Sequence, residues 1–122
     1  MTMCRITLGL LVPALLIGVP AQAHAFLDHA NPAVGATLQE PPATITLWFS
    51  QELEPAFSSV SVVDRAGNSV NRGDAEIDAA ERKVLRAGLK PLGPGLYKVT
   101  WHVVSIDTHA TEGAFTFRVT AR

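Results

Sequence analysis

Tyr97-Lys98-Val99-Thr100-Trp101-His102-Val103 and Phe115-Thr116-Phe117-Arg118-Val119-Thr120 decide the fold. In the first stretch Tyr97, Val99, Trp101 and Val103 alternate with Lys98, Thr100 and His102. In the second, Phe115, Phe117 and Val119 alternate with Thr116, Arg118 and Thr120. A period of two sends successive side chains to opposite faces of an extended chain, so each stretch reads as a strand with one buried face. Two more stretches carry the same signal. Ile45, Leu47 and Phe49 alternate with Thr44, Thr46, Trp48 and Ser50, and Ser59 to Asp64 repeats the pattern ahead of a turn at Arg65-Ala66-Gly67-Asn68. That turn predicts a hairpin into Ser69-Val70. Pro41-Pro42 and Pro91-Leu92-Gly93-Pro94-Gly95 break the chain between these runs. The segment Asp74 to Arg86 fits neither a helical nor a strand period, and a short helical turn or an irregular loop is expected there. Short strands at turn-marked spacing without a convincing helix predict an all-β fold, a Greek-key β-barrel or an immunoglobulin-like sandwich.

The first 23 residues obey different rules. Met1 to Arg5 precede an apolar run of 14 positions, Ile6 to Val19, and then Pro20-Ala21-Gln22-Ala23. A positive n-region, an apolar h-region and an A-x-A site make a secretory signal peptide, with cleavage expected between Ala23 and His24. The run is interrupted by Pro13 and Gly18 and is shorter than the roughly 20 residues of a membrane-spanning helix, so no stable membrane anchor is expected after cleavage. Cys4 precedes the apolar run, which excludes a lipoprotein anchor. The expected organisation is residues 1–23 as signal peptide and 24–122 as one exported β domain.

Cleavage changes the ligand chemistry. It removes Met1, Met3, Cys4 and Arg5, leaving 99 of the 122 residues with no sulfur, a formal charge of −2 and all four histidines. A disulfide is excluded, so the domain must hold together by burial. The near-neutral charge, −1 for the whole chain and pI near 6.4, gives no basic field for nucleic acid. No Gly-x-Ser-x-Gly elbow, phosphate loop or His-Glu-x-x-His occurs.

Two features carry possible chemistry. His24 becomes the first residue after cleavage and offers an α-amine and an imidazole that can close one chelate ring. The amine's ordinary pKa, about 7.7 to 8.0, makes its deprotonation near neutrality inexpensive. Asp107-Thr108-His109 lies between the two best strands, and residues two apart point to one side of an extended backbone. Three nitrogens and one oxygen form a tetragonal set that suits Cu(II), whereas Zn(II) usually takes a tetrahedral one. From these residues alone a bland alternative stays open, in which Asp107 and His109 are solvated loop residues and His24 a frayed terminus.

A resemblance spans the whole exported chain. Ala23-His24-Ala25-Phe26-Leu27, Asn31 to Ala36, Leu47-Trp48-Phe49-Ser50, Gly95 to Trp101, Val104-Ser105-Ile106-Asp107-Thr108-His109 and Glu112 to Phe117 follow one another as in the CopC family of periplasmic copper-resistance proteins, which the chain resembles. The resemblance implies a small Greek-key β domain binding one Cu(II) through His24, by amine and imidazole, with Asp107 and His109. It also implies a role in copper sequestration or delivery without catalytic turnover, with a CopD-type inner-membrane copper transport protein as partner. Three departures qualify the match. The methionine-rich loop of many members is missing, which leaves a Cu(II)-only site. Phe26 stands where some members have a third-position His. Gln51 stands where a Glu is common behind the copper ligands, and an amide hydrogen-bonds without carrying charge. His29 and His102 are expected at the surface, and Trp48 and Trp101 in core or sheet packing. The rival readings are a histidine-brace copper monooxygenase and a metal-free immunoglobulin-like scaffold. Asp107 in an equatorial position would leave the former little room for oxygen.

Overall fold

A computed structural model describes residues 25–121. Among them are eight strands: β1 Leu27–Asn31, β2 Thr37–Leu38, β3 Thr44–Phe49, β4 Ser59–Val63, β5 Asn71–Ile77, β6 Val84–Leu89, β7 Gly95–Val104 and β8 Ala110–Val119. A single 3₁₀ turn, Pro55–Phe57, precedes β4. The strands form two four-stranded sheets, ordered β1-β3-β6-β5 and β2-β8-β7-β4. All neighbours are antiparallel except β2 and β8. The molecule is an immunoglobulin-like sandwich, and its two sheets do not close into a barrel.

The inward rows are those that alternation picked out. Ile45, Leu47 and Phe49 of β3 face Tyr97, Val99, Trp101 and Val103 of β7 and Phe115, Phe117 and Val119 of β8, all buried in one core. Fully burying a side chain of this size contributes about 1.5–3 kcal/mol, offset by the entropy of ordering it. Trp101 lies over Gly113, its partner in the β7–β8 ladder. A Cβ at Gly113 would stand 2.5 Å from the indole ring, so glycine there is what lets the ring lie flat against β8. The same ring meets Phe49 edge-on across the sandwich at 5.3 Å.

The stretch Asp74 to Arg86 corrects the expectation of a helical turn or loop. It is a β5–β6 hairpin turning at Asp78 to Lys83. Asp78 closes the turn by accepting the Ala80 amide at 2.8 Å and the Arg86 guanidinium at 3.1 Å, which together hold its carboxyl below the usual range. Strand alternation is hidden because Gly73 takes φ 81° and the ladder slips between Arg72 and Glu76. The short β1 and β2 strands were likewise not expected, and β1 is itself irregular between Leu27 and His29. The expected hairpin after β4 is present, with Val63 bridging Ser69. Asn71 then spans the open side of the sandwich, accepting the Val62 amide at 2.7 Å and donating to the Val60 carbonyl at 3.0 Å. The exposed edge of β4 is thereby partly satisfied.

Candidate metal centre

The β7–β8 connection is a tight hairpin whose backbone fixes Asp107 and His109. Ser105 donates its amide to the His109 carbonyl at 3.0 Å, and the Thr108 amide returns to the Ser105 carbonyl at 2.8 Å. Thr108 completes the turn at φ 73°, a left-handed position that a β-branched residue occupies only under strain. The connection is braced from below. Leu53, fully buried, bridges Ser105, and the Ile106 amide donates to the Glu52 carbonyl at 3.1 Å.

Within that frame the acid and the imidazole meet. His109 Nδ1 lies 3.2 Å from Asp107 Oδ1, with both side chains about half exposed. When Nδ1 carries a proton it donates to the carboxylate, and a divalent cation held by both groups would take whichever ring nitrogen is unprotonated. Ser105, fully buried, donates its hydroxyl to Asp107 Oδ1. That bond is the main reason the Asp107 carboxyl sits below its ordinary pKa. Desolvation opposes it as the next largest effect, and the His109 ring and amide each add a smaller lowering. The pair thus presents an ionised oxygen donor beside an aromatic nitrogen, the donor types that a borderline divalent cation takes.

Asp107 and His109 are brought together, while His24 lies outside the described residues. Among the described residues no group of three His, Cys, Asp or Glu converges. The structure does show where the chain leading from His24 runs. The Ala25 carbonyl accepts a 2.7 Å hydrogen bond from Thr111 Oγ1, and Thr111 stands two residues beyond His109. Phe26 and Ser50 exchange two bonds of 2.9 Å, one from the Phe26 amide to the Ser50 hydroxyl and one from the Ser50 amide to the Phe26 carbonyl. Residues 25 and 26 are therefore pinned to the same end of the sandwich as the hairpin.

The other histidines lie apart from the pair in the β7–β8 connection. His102 is exposed on β7. His29 is exposed, pairs with Asp28 at 2.8 Å and stacks on Trp48 at 4.3 Å, which accounts for Trp48 as packing on the outer face of the sheet. Trp101 is in the core as expected, and Gln51 is half-buried. Ser105 and Thr111 were not singled out from sequence. Thr111 carried a signal, since it shares the inward parity of Phe115 and Phe117.

A family model described as the CopC domain matches residues 27–120. The chain belongs to the CopC family. This CopC domain is 39% identical over 98 residues to Protein YobA of Escherichia coli strain K12, covering 80% of this chain and 79% of that protein. It is 34% identical over 116 residues to Copper resistance protein C of Pseudomonas syringae pv. tomato, covering 90% and 91%. Copper transport protein CutJ of Bacillus subtilis strain 168 is 26% identical over 98 residues, which are 80% of this chain but 18% of CutJ. The crystal structure of CopC from Methylosinus trichosporium OB3b superposes on the CopC domain with a TM-score of 0.76 at 32% identity, over 81% of this chain and 96% of that one. The family match begins at Leu27, so it includes Asp107 and His109 and leaves His24 just outside.

Proposed function

We propose that this CopC domain is a periplasmic Cu(II)-binding protein that sequesters copper or passes it to a membrane transporter of the CopD type, in copper resistance or homeostasis. One Cu(II) per chain is held by His24, through amine and imidazole, with Asp107 and His109. The carrying observation is the bond from Thr111 to the Ala25 carbonyl. Ala25 is one peptide from His24, about 3.8 Å between α-carbons, so the anchor supports delivery of His24 to the end of the sandwich where Asp107 and His109 sit.

The rest follows from donor chemistry. Residues 1–23 act as a signal peptide, and cleavage after Ala23 frees the α-amine that a longer chain would hold in a peptide bond. With no sulfur in residues 24–122, every ligand is nitrogen or oxygen, which favours Cu(II) over Cu(I). Relatives named for copper resistance and copper transport support copper binding and delivery.

Titration of residues 24–122 with Cu(II), followed by electron paramagnetic resonance, tests this reading. One copper per chain is expected, with His24→Ala and His109→Ala each weakening binding at least about a hundredfold, about 2.7 kcal/mol. Absence of stoichiometric binding, or unchanged binding in both variants, contradicts it.

A further inference from the structure

The end of the sandwich that carries Asp107 and His109 differs in surface chemistry from the rest. Three segments meet there: 25–28, 50–58 and 104–112. They are tied by backbone bonds from Ile106 to Glu52, from Glu54 to Val104 and from Ser50 to Phe26. Among the described residues four large apolar side chains are exposed, and three of them, Phe26, Phe57 and Ile106, belong to these segments; the fourth, Val34, lies after β1 toward the other end. Apolar residues scattered singly are ordinary, but three around one site are not.

The charge is equally lopsided. Besides Asp107, these segments carry Asp28, Glu52, Glu54 and Glu112 and contain neither Lys nor Arg, in a chain whose net charge is −1. The neighbouring β5–β6 turn contributes Arg82 and Lys83 beside Glu81, while its Asp78 is taken up by the ion pair with Arg86. Basic side chains gather instead toward the far end, at Arg65, Lys90, Lys98 and Arg118.

We infer that this acidic face with exposed Phe57 and Ile106 is the docking surface for the protein that exchanges copper with this chain, and that the partner's facing surface is basic around an apolar centre. The inference rests on the proposed copper-delivery function. A second copy of this chain does not fit, because a two-fold contact through this face would set the same carboxylates against each other. An anionic lipid surface is excluded by the same sign of charge. A transport protein is the suitable class of partner: CutJ, whose matched segment is 18% of its length, has such a segment continuous with a copper transport protein.

The test separates docking from copper binding. Metal-free chain 24–122 is titrated onto a CopD-type membrane protein held in phosphatidylcholine nanodiscs, at about 50 and about 300 mM NaCl, where screening differs strongly. Binding of the unmodified chain is expected to weaken at least about tenfold at the higher salt, and a Glu52→Lys, Glu54→Lys, Phe57→Ser variant to bind at least about tenfold more weakly at low salt. Val34→Ser is the control and should bind within about twofold of the unmodified chain, as should the Cu(II) affinity of every variant. Failure of the unmodified chain to bind, or undiminished binding by the triple variant, overturns the inference. Salt-sensitive docking by a chain that takes up no Cu(II) sinks the copper reading and leaves the docking surface standing.

Discussion

Thr111 Oγ1 donates a 2.7 Å hydrogen bond to the carbonyl of Ala25, joining residues 86 positions apart in sequence. The bond ties the amino-terminal segment to the strand that begins beside His109. Thr111→Val keeps the β-branched shape and removes the donor. The expected result is a loss of about 1 kcal/mol in stability, and Cu(II) binding weakened roughly fivefold as His24 gains freedom. Chemical denaturation and competitive copper titration measure the two effects. An unchanged copper affinity would mean that the anchor does not position His24.

Thr108 closes the β7–β8 hairpin at φ 73°, a position glycine or asparagine holds more comfortably. Thr108→Asn should stabilise the metal-free domain by about 0.5–1 kcal/mol, which for a domain of this size raises Tm by about 2–8 °C. Calorimetry of the two proteins decides it, and a lower Tm contradicts the strain at Thr108.

Gly113 makes room for the Trp101 ring, which a Cβ would meet at 2.5 Å. Gly113→Ala should displace the indole from its place against Phe49 and cost about 1–3 kcal/mol. The tryptophan near-ultraviolet dichroism should weaken in step with the loss of stability. If stability is unchanged, β8 has room to shift at this position.

Acid acts on the centre through Asp107. Its carboxyl titrates below the ordinary value in the folded chain, chiefly because the Ser105 hydroxyl bonds the charged form. The stabilisation it contributes is therefore present above the unfolded pKa of about 3.9 and is lost as pH falls through the lower folded value. Ser105→Ala removes the main cause, so the Asp107 carboxyl in the metal-free protein should titrate at higher pH. Carbon-13 detection of the side-chain carboxyl follows this directly. An unmoved titration would assign the shift to His109 instead.

Much of the sandwich was legible because β3, β4, β7 and the second half of β8 alternate over most of their length, with Leu47, Val62, Val99 and Phe117 all inward. β5 was not, since the ladder slips by two residues between Arg72 and Glu76 around Gly73, and Ile77 is the one large apolar side chain on its half-buried row with Asn71 and Ala75. β1 hid for a similar reason, its register breaking between Leu27 and His29. At the site, the spacing of Asp107 and His109 was readable because both carry rare chemistry in a loop. Ser105 and Thr111 fall on the inward rows that continue from Val103 and lead to Phe115, but a hydroxyl there does not say which group it bonds. Their roles come from the partners that the fold supplies, Asp107 and Ala25.

The central claim is that the freed α-amine of His24 is a copper ligand alongside Asp107 and His109. Cu(II) titration of residues 24–122, compared with the same chain carrying one extra glycine before His24, tests it most directly. The extension keeps every side chain and turns the amine into a peptide nitrogen. The prediction is tight one-to-one binding by the first protein, and by the second an affinity at least about a hundredfold lower with an altered paramagnetic resonance spectrum. Equal affinities with identical spectra would contradict it.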